Sequence, residues 1–134
     1  MPTNPDIIKS IYASFAKGDV AAVLGAFDPK IEWNEAEGFL YAEGNPYVGP
    51  QAIATGIFQR IMTDVPNFTV NPERITDGGD TVLAEGRYRG TVKSTGKPIN
   101  AQFAHVWQLR GGKVVRFQQY TDTRQWADAM KGSR

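Results

Sequence analysis

Cysteine is missing from the 134 residues, which excludes disulfides, thiolate metal centres, iron–sulfur clusters and cysteine nucleophiles. Histidine occurs once, as His105, so no site that needs several imidazoles can be built, and the carboxylates show no metal-ligand spacing. The expectation is a chain without metal or cofactor. Charge of one sign is also lacking: 15 Lys and Arg against 14 Asp and Glu leave a formal +1, which supplies no electrostatic attraction to nucleic acid or to an anionic membrane. No apolar run nears the roughly 20 residues that span a bilayer. The opening Met1-Pro2-Thr3-Asn4-Pro5-Asp6 lacks the basic and apolar regions of a signal peptide, so a cytoplasmic location is expected, with no nucleic-acid and no membrane partner. Repeats, low-complexity tracts and Gly- or Pro-rich linkers are missing too, which leaves one domain over 1–134. No glycine-rich loop leads from a strand into a helix, as phosphate binding requires.

Aromatic residues are plentiful instead: Phe 7, Tyr 5 and Trp 3. Asn4 as cap, Pro5 at the first helical position and Asp6 in the first turn open a helix with Ile7, Ile8, Ile11, Tyr12 and Phe15 at helical spacing, ending at Gly18. Asp19 caps a shorter helix carrying Val20, Val23, Leu24 and Phe27, which Asp28-Pro29 stops; Ile31 to Glu35 reads as a strand. A third helix starts at Gly49-Pro50 and ends at Pro66. From Phe68 the period changes to two, over Phe68 to Ile75, Thr81 to Val92, Ile99 to Leu109 and Val114 to Thr121. Turn residues such as Asp77-Gly78-Gly79-Asp80 separate them. Helices first and a strand meander after predict an α+β domain, a curved antiparallel sheet packed against N-terminal helices and curled into a cone with a pocket at its open end.

A two-residue Gly111-Gly112 turn pairs Arg110 with Lys113, so His105 is expected opposite Gln118, Phe103 opposite Tyr120 and Ala101 opposite Asp122. One face then holds Phe103, His105, Trp107, Gln118, Tyr120 and Asp122, aromatic yet rich in groups able to form hydrogen bonds. It is expected to be concave, with a small hydrophobic ligand as partner. At roughly 3.3 Å per residue, the His105 and Asp122 backbones stand about 13 Å apart, which makes them flanking groups for a substrate, Asp122 as general acid or base and His105 as proton donor or carbonyl-polarising group. Asp122 equally suits the cap of a C-terminal helix, and His105 equally suits a satisfied core position. The other face carries Val106, Val115 and Phe117, an apolar patch that a homodimer would bury.

Phe15-Ala16-Lys17-Gly18-Asp19, Asp28-Pro29-Lys30-Ile31-Glu32-Trp33, Tyr47-Val48-Gly49-Pro50-Gln51-Ala52-Ile53 and His105-Val106-Trp107 through Gly112-Lys113-Val114-Val115 to Tyr120-Thr121-Asp122 resemble the SnoaL-like, ketosteroid isomerase-related branch of the nuclear transport factor 2-like superfamily, over nearly the whole chain. The resemblance implies the cone fold and dimers formed back to back. It also implies an acid/base Asp at the end of the last strand, matched by Asp122, and a pocket His on the strand before, matched by His105. In ketosteroid isomerases the general base follows the first strand and precedes a Gly; aligning Gly38 with that Gly puts the base at Glu35, with Asn34 and Glu37 as alternatives in a shifted register. Glu35 shares a strand face with Ile31 and Trp33, and burial among aromatics would raise its pKa toward neutrality. Tyr12 is a candidate hydroxyl donor, and Trp33, Phe103, Trp107 and Tyr120 are candidate walls. The segment holding Phe39, Tyr41 and Tyr47 is a candidate lid or a packed loop. Two functions fit: a cofactor-independent isomerase, cyclase or lyase moving protons on a small hydrophobic carbonyl compound, or a noncatalytic small-molecule-binding or dimerisation domain of the same fold.

Overall fold

The computed structural model describes residues 2–131. Helix α1 (Asn4–Ala16) is capped one residue earlier than the sequence suggests: the Thr3 hydroxyl accepts the Asp6 N–H and the Asp6 carboxylate accepts the Thr3 N–H, a reciprocal box that satisfies two orphan donors. Asp19 caps α2 (Val20–Gly25) through the Ala22 N–H, as its side-chain chemistry predicts. Strand β1 (Phe27–Asn34) begins earlier than expected, because Phe27 pairs with Val114 instead of ending the helix. A short β2 (Tyr47–Val48) comes after it. Next come α3 (Pro50–Ile53) and α4 (Gln59–Asp64), joined by a π-helical stretch, Ala54–Phe58, where a single regular helix was expected. Gly56 accounts for one constraint there: a Cβ on it would lie 2.4 Å from the Tyr47 ring.

The remaining strands are β3 (Thr69–Gly78), β4 (Thr81–Thr91), β5 (Pro98–Arg110) and β6 (Lys113–Thr121), and α5 (Thr123–Met130) closes the described chain. The sheet is six-stranded in the order β2-β1-β6-β5-β4-β3. It is curved and unclosed, with the helices against its inner face, so the α+β cone is the observed fold. One pairing departs from the antiparallel expectation: β1 runs parallel to β6.

Register supplies the main correction. Arg110 faces Lys113 and Leu109 faces Val114 as the Gly-Gly turn dictates, but the pairing then shifts by one, giving Gln108 opposite Arg116, Trp107 opposite Phe117, His105 opposite Gln119 and Phe103 opposite Thr121. Val115 is the extra residue of a β-bulge, and an extra residue turns every later side chain of that strand to the other face. Phe117 and Gln119 therefore join His105 inside, and Arg116, Gln118 and Tyr120 turn outward. Phe117 is 2% exposed and Tyr120 is 56% exposed. The outer patch thus loses Phe117, and the pocket wall loses Tyr120.

The core lies between the inner sheet face and the helices. Trp33 stacks on Phe117 with ring centroids 3.7 Å apart, and Trp107 crosses the Trp33 ring edge-on at 5.8 Å. Trp126 of α5 is fully buried against Phe39, Phe68 and Tyr88, so α5 covers one side of the cone.

Candidate active site

A cavity of about 80 Å³, counted as space open to the centre of a water molecule, lies inside the cone. Its wall is almost wholly apolar and aromatic: Ile11, Tyr12 and Phe15 from α1, Ile57 and Phe58 from the π-helical stretch, Trp33, Trp107 and Phe117 from the sheet. The polar groups that reach it are few, namely Glu35, His105, Gln119 and the hydroxyl-bearing Tyr12, Tyr41 and Tyr88. An apolar cavity with a few converging polar groups is the usual form of a small-molecule site.

Glu35 directly succeeds β1, and two contacts fix it. The Asn45 side chain accepts the Glu35 N–H at 2.9 Å and donates to the Glu35 carbonyl at 2.8 Å, acting as a strand neighbour where the sheet has ended. Its carboxylate accepts the Trp33 indole N–H through Oε2 at 2.7 Å. Among the described residues Oε1 has no hydrogen-bond partner, and the residue is only 3% exposed. Burial disfavours the charged form and pushes the Glu35 carboxyl up from its ordinary 4.5 to about 7, while the Trp33 N–H holds it back.

His105 is buried as well, at 4% exposed. Phe103 stacks on its ring at 4.0 Å and 16°. Both ring nitrogens are taken by tyrosine hydroxyls: Nδ1 meets the Tyr12 hydroxyl at 2.6 Å and Nε2 meets the Tyr88 hydroxyl at 2.5 Å. Burial without a charged partner pushes the imidazole down to about 3, so it is neutral at any working pH. Tyr12 also accepts the Trp107 N–H at 2.9 Å, and Tyr88 accepts the Gln119 amide N–H at 2.8 Å. Gln119 in turn accepts the Ala36 N–H at 3.1 Å. Burial raises both phenols above their ordinary range, and the charge of Glu35 adds to the rise at Tyr88.

Of the residues that the sequence nominated, Tyr12, Trp33, Glu35, His105 and Trp107 line the cavity, and Phe103 supports it from behind His105. Asn34 pairs with Gln118 and Tyr120 with Ala104, which puts all three on the outward side. Glu37 is exposed. Asp122 is exposed as well, and its carboxylate accepts the Gln125 N–H as the cap of α5; the bulge has removed it from the His105 face. The segment after Glu35 is a packed loop: Phe39 and Tyr41 line the cavity, the Tyr41 hydroxyl donates to Asp64, Tyr47 donates to the Tyr41 carbonyl, and Arg60 covers the Tyr41 ring while pairing with Glu43. Tyr88 and Gln119 were missed. Tyr88 shares the strand parity of Val82, Ala84 and Val92, an apolar face legible by alternation; Gln119 was hidden by the bulge.

A SnoaL-like domain model matches residues 8–117. Among solved structures, a nuclear transport factor 2-like protein from Burkholderia thailandensis E264 is 37% identical with a TM-score of 0.94, covering 98% of this chain and 100% of that one. TerC, co-crystallised with polyporic acid, is 24% identical with a TM-score of 0.83, over 96% and 100%. A putative SnoaL-like polyketide cyclase from Jannaschia sp. CCS1 is 14% identical with a TM-score of 0.81, over 96% and 91%. No curated protein matches. Fold and cavity thus define a protein of nuclear transport factor 2-like architecture with a largely apolar site inside the cone. Within that class, the chain belongs to the SnoaL-like domain family.

Proposed function

We propose that the chain is a cofactor-independent acid–base catalyst acting on a small hydrophobic carbonyl compound, with Glu35 as the group that moves the proton. The observation that carries this reading is a carboxyl raised to about 7, with one oxygen fixed by Trp33 and the other free, on the wall of an apolar cavity. A general base works best when its pKa lies near the operating pH. Ionised Glu35 takes a proton from the carbon next to the carbonyl; the C–H electron pair becomes the enolate, and Glu35 is left as the neutral acid. Returning that proton to a different carbon is an isomerisation. Attack of the enolate carbon on a second carbonyl of the same molecule, with the proton passing to the new alkoxide, is a cyclisation. Expulsion of a β-leaving group, protonated as it departs, is a lyase reaction.

His105 does not touch the substrate in this scheme, because both its nitrogens are engaged. Small-molecule binding is further supported by TerC, which shares the fold and was crystallised with polyporic acid. The outer sheet face supports a homodimer contact revised by the bulge: Leu83 faces Val106 and Ala104 faces Tyr120 across neighbouring strands, with Leu83 41% exposed. A dimeric mass by light scattering at micromolar concentration is expected, and Val106→Asp with Tyr120→Asp should yield monomer.

The catalytic reading is tested by following loss of the α-proton of 2-cyclohexenone and of a β-keto ester in D₂O by NMR. Exchange above the buffer rate, at least a hundredfold slower in Glu35→Gln, is expected. Binding of these compounds without accelerated exchange would instead mark a noncatalytic binding domain.

A further inference from the structure

The hydrogen bonds around His105 contain one proton too many. Tyr12, His105 and Tyr88 form a chain joined by two hydrogen bonds. A neutral imidazole carries one N–H and each phenol one O–H, so three protons are available for two bonds. Neighbours do not absorb the third. The Trp107 indole is a donor only, and the Gln119 amide is oriented as a donor to Tyr88 because its oxygen accepts the Ala36 N–H. Both tyrosine oxygens thus accept from outside the chain. Whichever tautomer His105 adopts, one tyrosine hydroxyl keeps its proton for a partner that the protein does not provide among the described residues, and both tyrosines line the cavity.

Glu35 decides which end holds that proton. Gln119 links the Tyr88 hydroxyl to the backbone of Ala36, the residue next to Glu35, and the charge of Glu35 acts on the Tyr88 phenol but not on that of Tyr12, so Tyr88 is the end coupled to the carboxylate. A negative charge there favours the positive end of an O–H dipole on the same side. An outside N–H meets each hydroxyl oxygen, Trp107 at Tyr12 and Gln119 at Tyr88, so the charge of Glu35 is what sets the two ends apart. Donation therefore runs from Trp107 to Tyr12, from Tyr12 to Nδ1, and from Nε2 to Tyr88, each bond polarising the next.

We infer that His105 is held as the Nε2–H tautomer and that the Tyr88 hydroxyl is the donor offered to the ligand, selecting molecules that present an acceptor oxygen: a carbonyl, an enolate or a phenolate. The inference rests on the same cavity as the proton-transfer reading and deepens it. Tyr88 is a catalytic residue, holding the oxygen whose charge develops as Glu35 removes the neighbouring proton. His105, Tyr12 and Gln119 are positioning residues that keep its O–H free.

Because the chain has a single histidine, ¹⁵N NMR of histidine-labelled protein reads the tautomer without ambiguity. A protonated Nε2 with a bare, hydrogen-bonded Nδ1 is expected; an Nδ1–H tautomer or an imidazolium at pH 7 overturns the inference. The ligand side is read by the absorbance of 4-nitrophenol titrated with protein. Tyr88→Phe should weaken its binding about tenfold or more. Tyr120→Phe, which removes a phenol hydroxyl from the outward, exposed side of the sheet, should leave it within about threefold. The reverse ranking, equal effects, or no binding to the unaltered protein overturns the assignment. Neither readout needs turnover, so a protein that passes both yet exchanges no α-proton loses the catalytic reading and keeps this one.

Discussion

Strands β1 and β6 run side by side in parallel, and each is succeeded at once by an acidic residue, Glu35 after one and Asp122 after the other. Their environments are opposite. Glu35 is sealed among aromatic rings, bound by one indole N–H and raised to about 7. Asp122 faces solvent and spends its carboxylate on the first turn of α5. The difference teaches that position at a strand end does not by itself bring a carboxylate into the cavity. The path of the chain beyond the strand decides where it lies. After β1 the chain folds back as a packed loop held by Asn45, Tyr41 and Tyr47, whereas after β6 it enters a helix whose unpaired N–H groups claim the side chain.

The comparison breaks most visibly in activity. Glu35→Gln should lower α-proton exchange by about 10²- to 10⁴-fold, while Asp122→Asn, which keeps a capping oxygen, should leave it within about twofold; NMR exchange rates in D₂O measure both.

Stability against pH comes next. Glu35 binds its proton more tightly folded than unfolded, so its contribution falls as pH rises from 4.5 to about 7. His105 binds its proton less tightly folded than unfolded, so its contribution falls as pH drops from 6.5 to about 3. The two slopes oppose each other between 4.5 and 6.5, which predicts a plateau of stability there with a decline on both sides. At about 1.4 kcal/mol per pKa unit, the Glu35 contribution falls by about 3.5 kcal/mol between pH 4.5 and about 7, but His105 offsets all except the last half unit, so the net upper decline is below about 1 kcal/mol. Urea denaturation of Glu35→Gln should show that upper decline removed, with Asp122→Ala retaining it.

Asp122→Ala should then cost about 1 kcal/mol through the lost cap. Smallest of all, Trp33→Phe removes the N–H that favours ionised Glu35, so the Glu35 midpoint should move upward, visible as a shift of the pH–rate profile to higher pH.

Much of the fold was legible because alternation and capping are local signals. Asp19 caps its helix, the Gly111-Gly112 turn joins its strands, and β5 alternates inward and outward along its length. The family resemblance led to the same cone. Glu35 was legible from its parity with Trp33 and Ile31 and from the nearby glycine at 38. The bulge at Val115 was not, since nothing in Lys113-Val114-Val115-Arg116 distinguishes a doubled position from regular pairing, and the pull of Phe117 toward Trp33 acts across strands. That one residue moved Phe117 and Gln119 inward and Gln118, Tyr120 and Asp122 away from His105. The Thr3 cap was missed because Asn4 has equivalent chemistry one position later. The tyrosine clamp on His105 joins groups from α1, β4 and β5, a convergence that only tertiary packing creates.

The proposed catalysis depends on an apolar cavity that holds the Glu35 carboxyl close to neutrality. Titration of the Glu35 side-chain carboxyl carbon by NMR, assigned through Glu35→Gln, tests it most directly. A midpoint near 7 is predicted; a midpoint at the ordinary glutamate value of 4.5 would contradict the account.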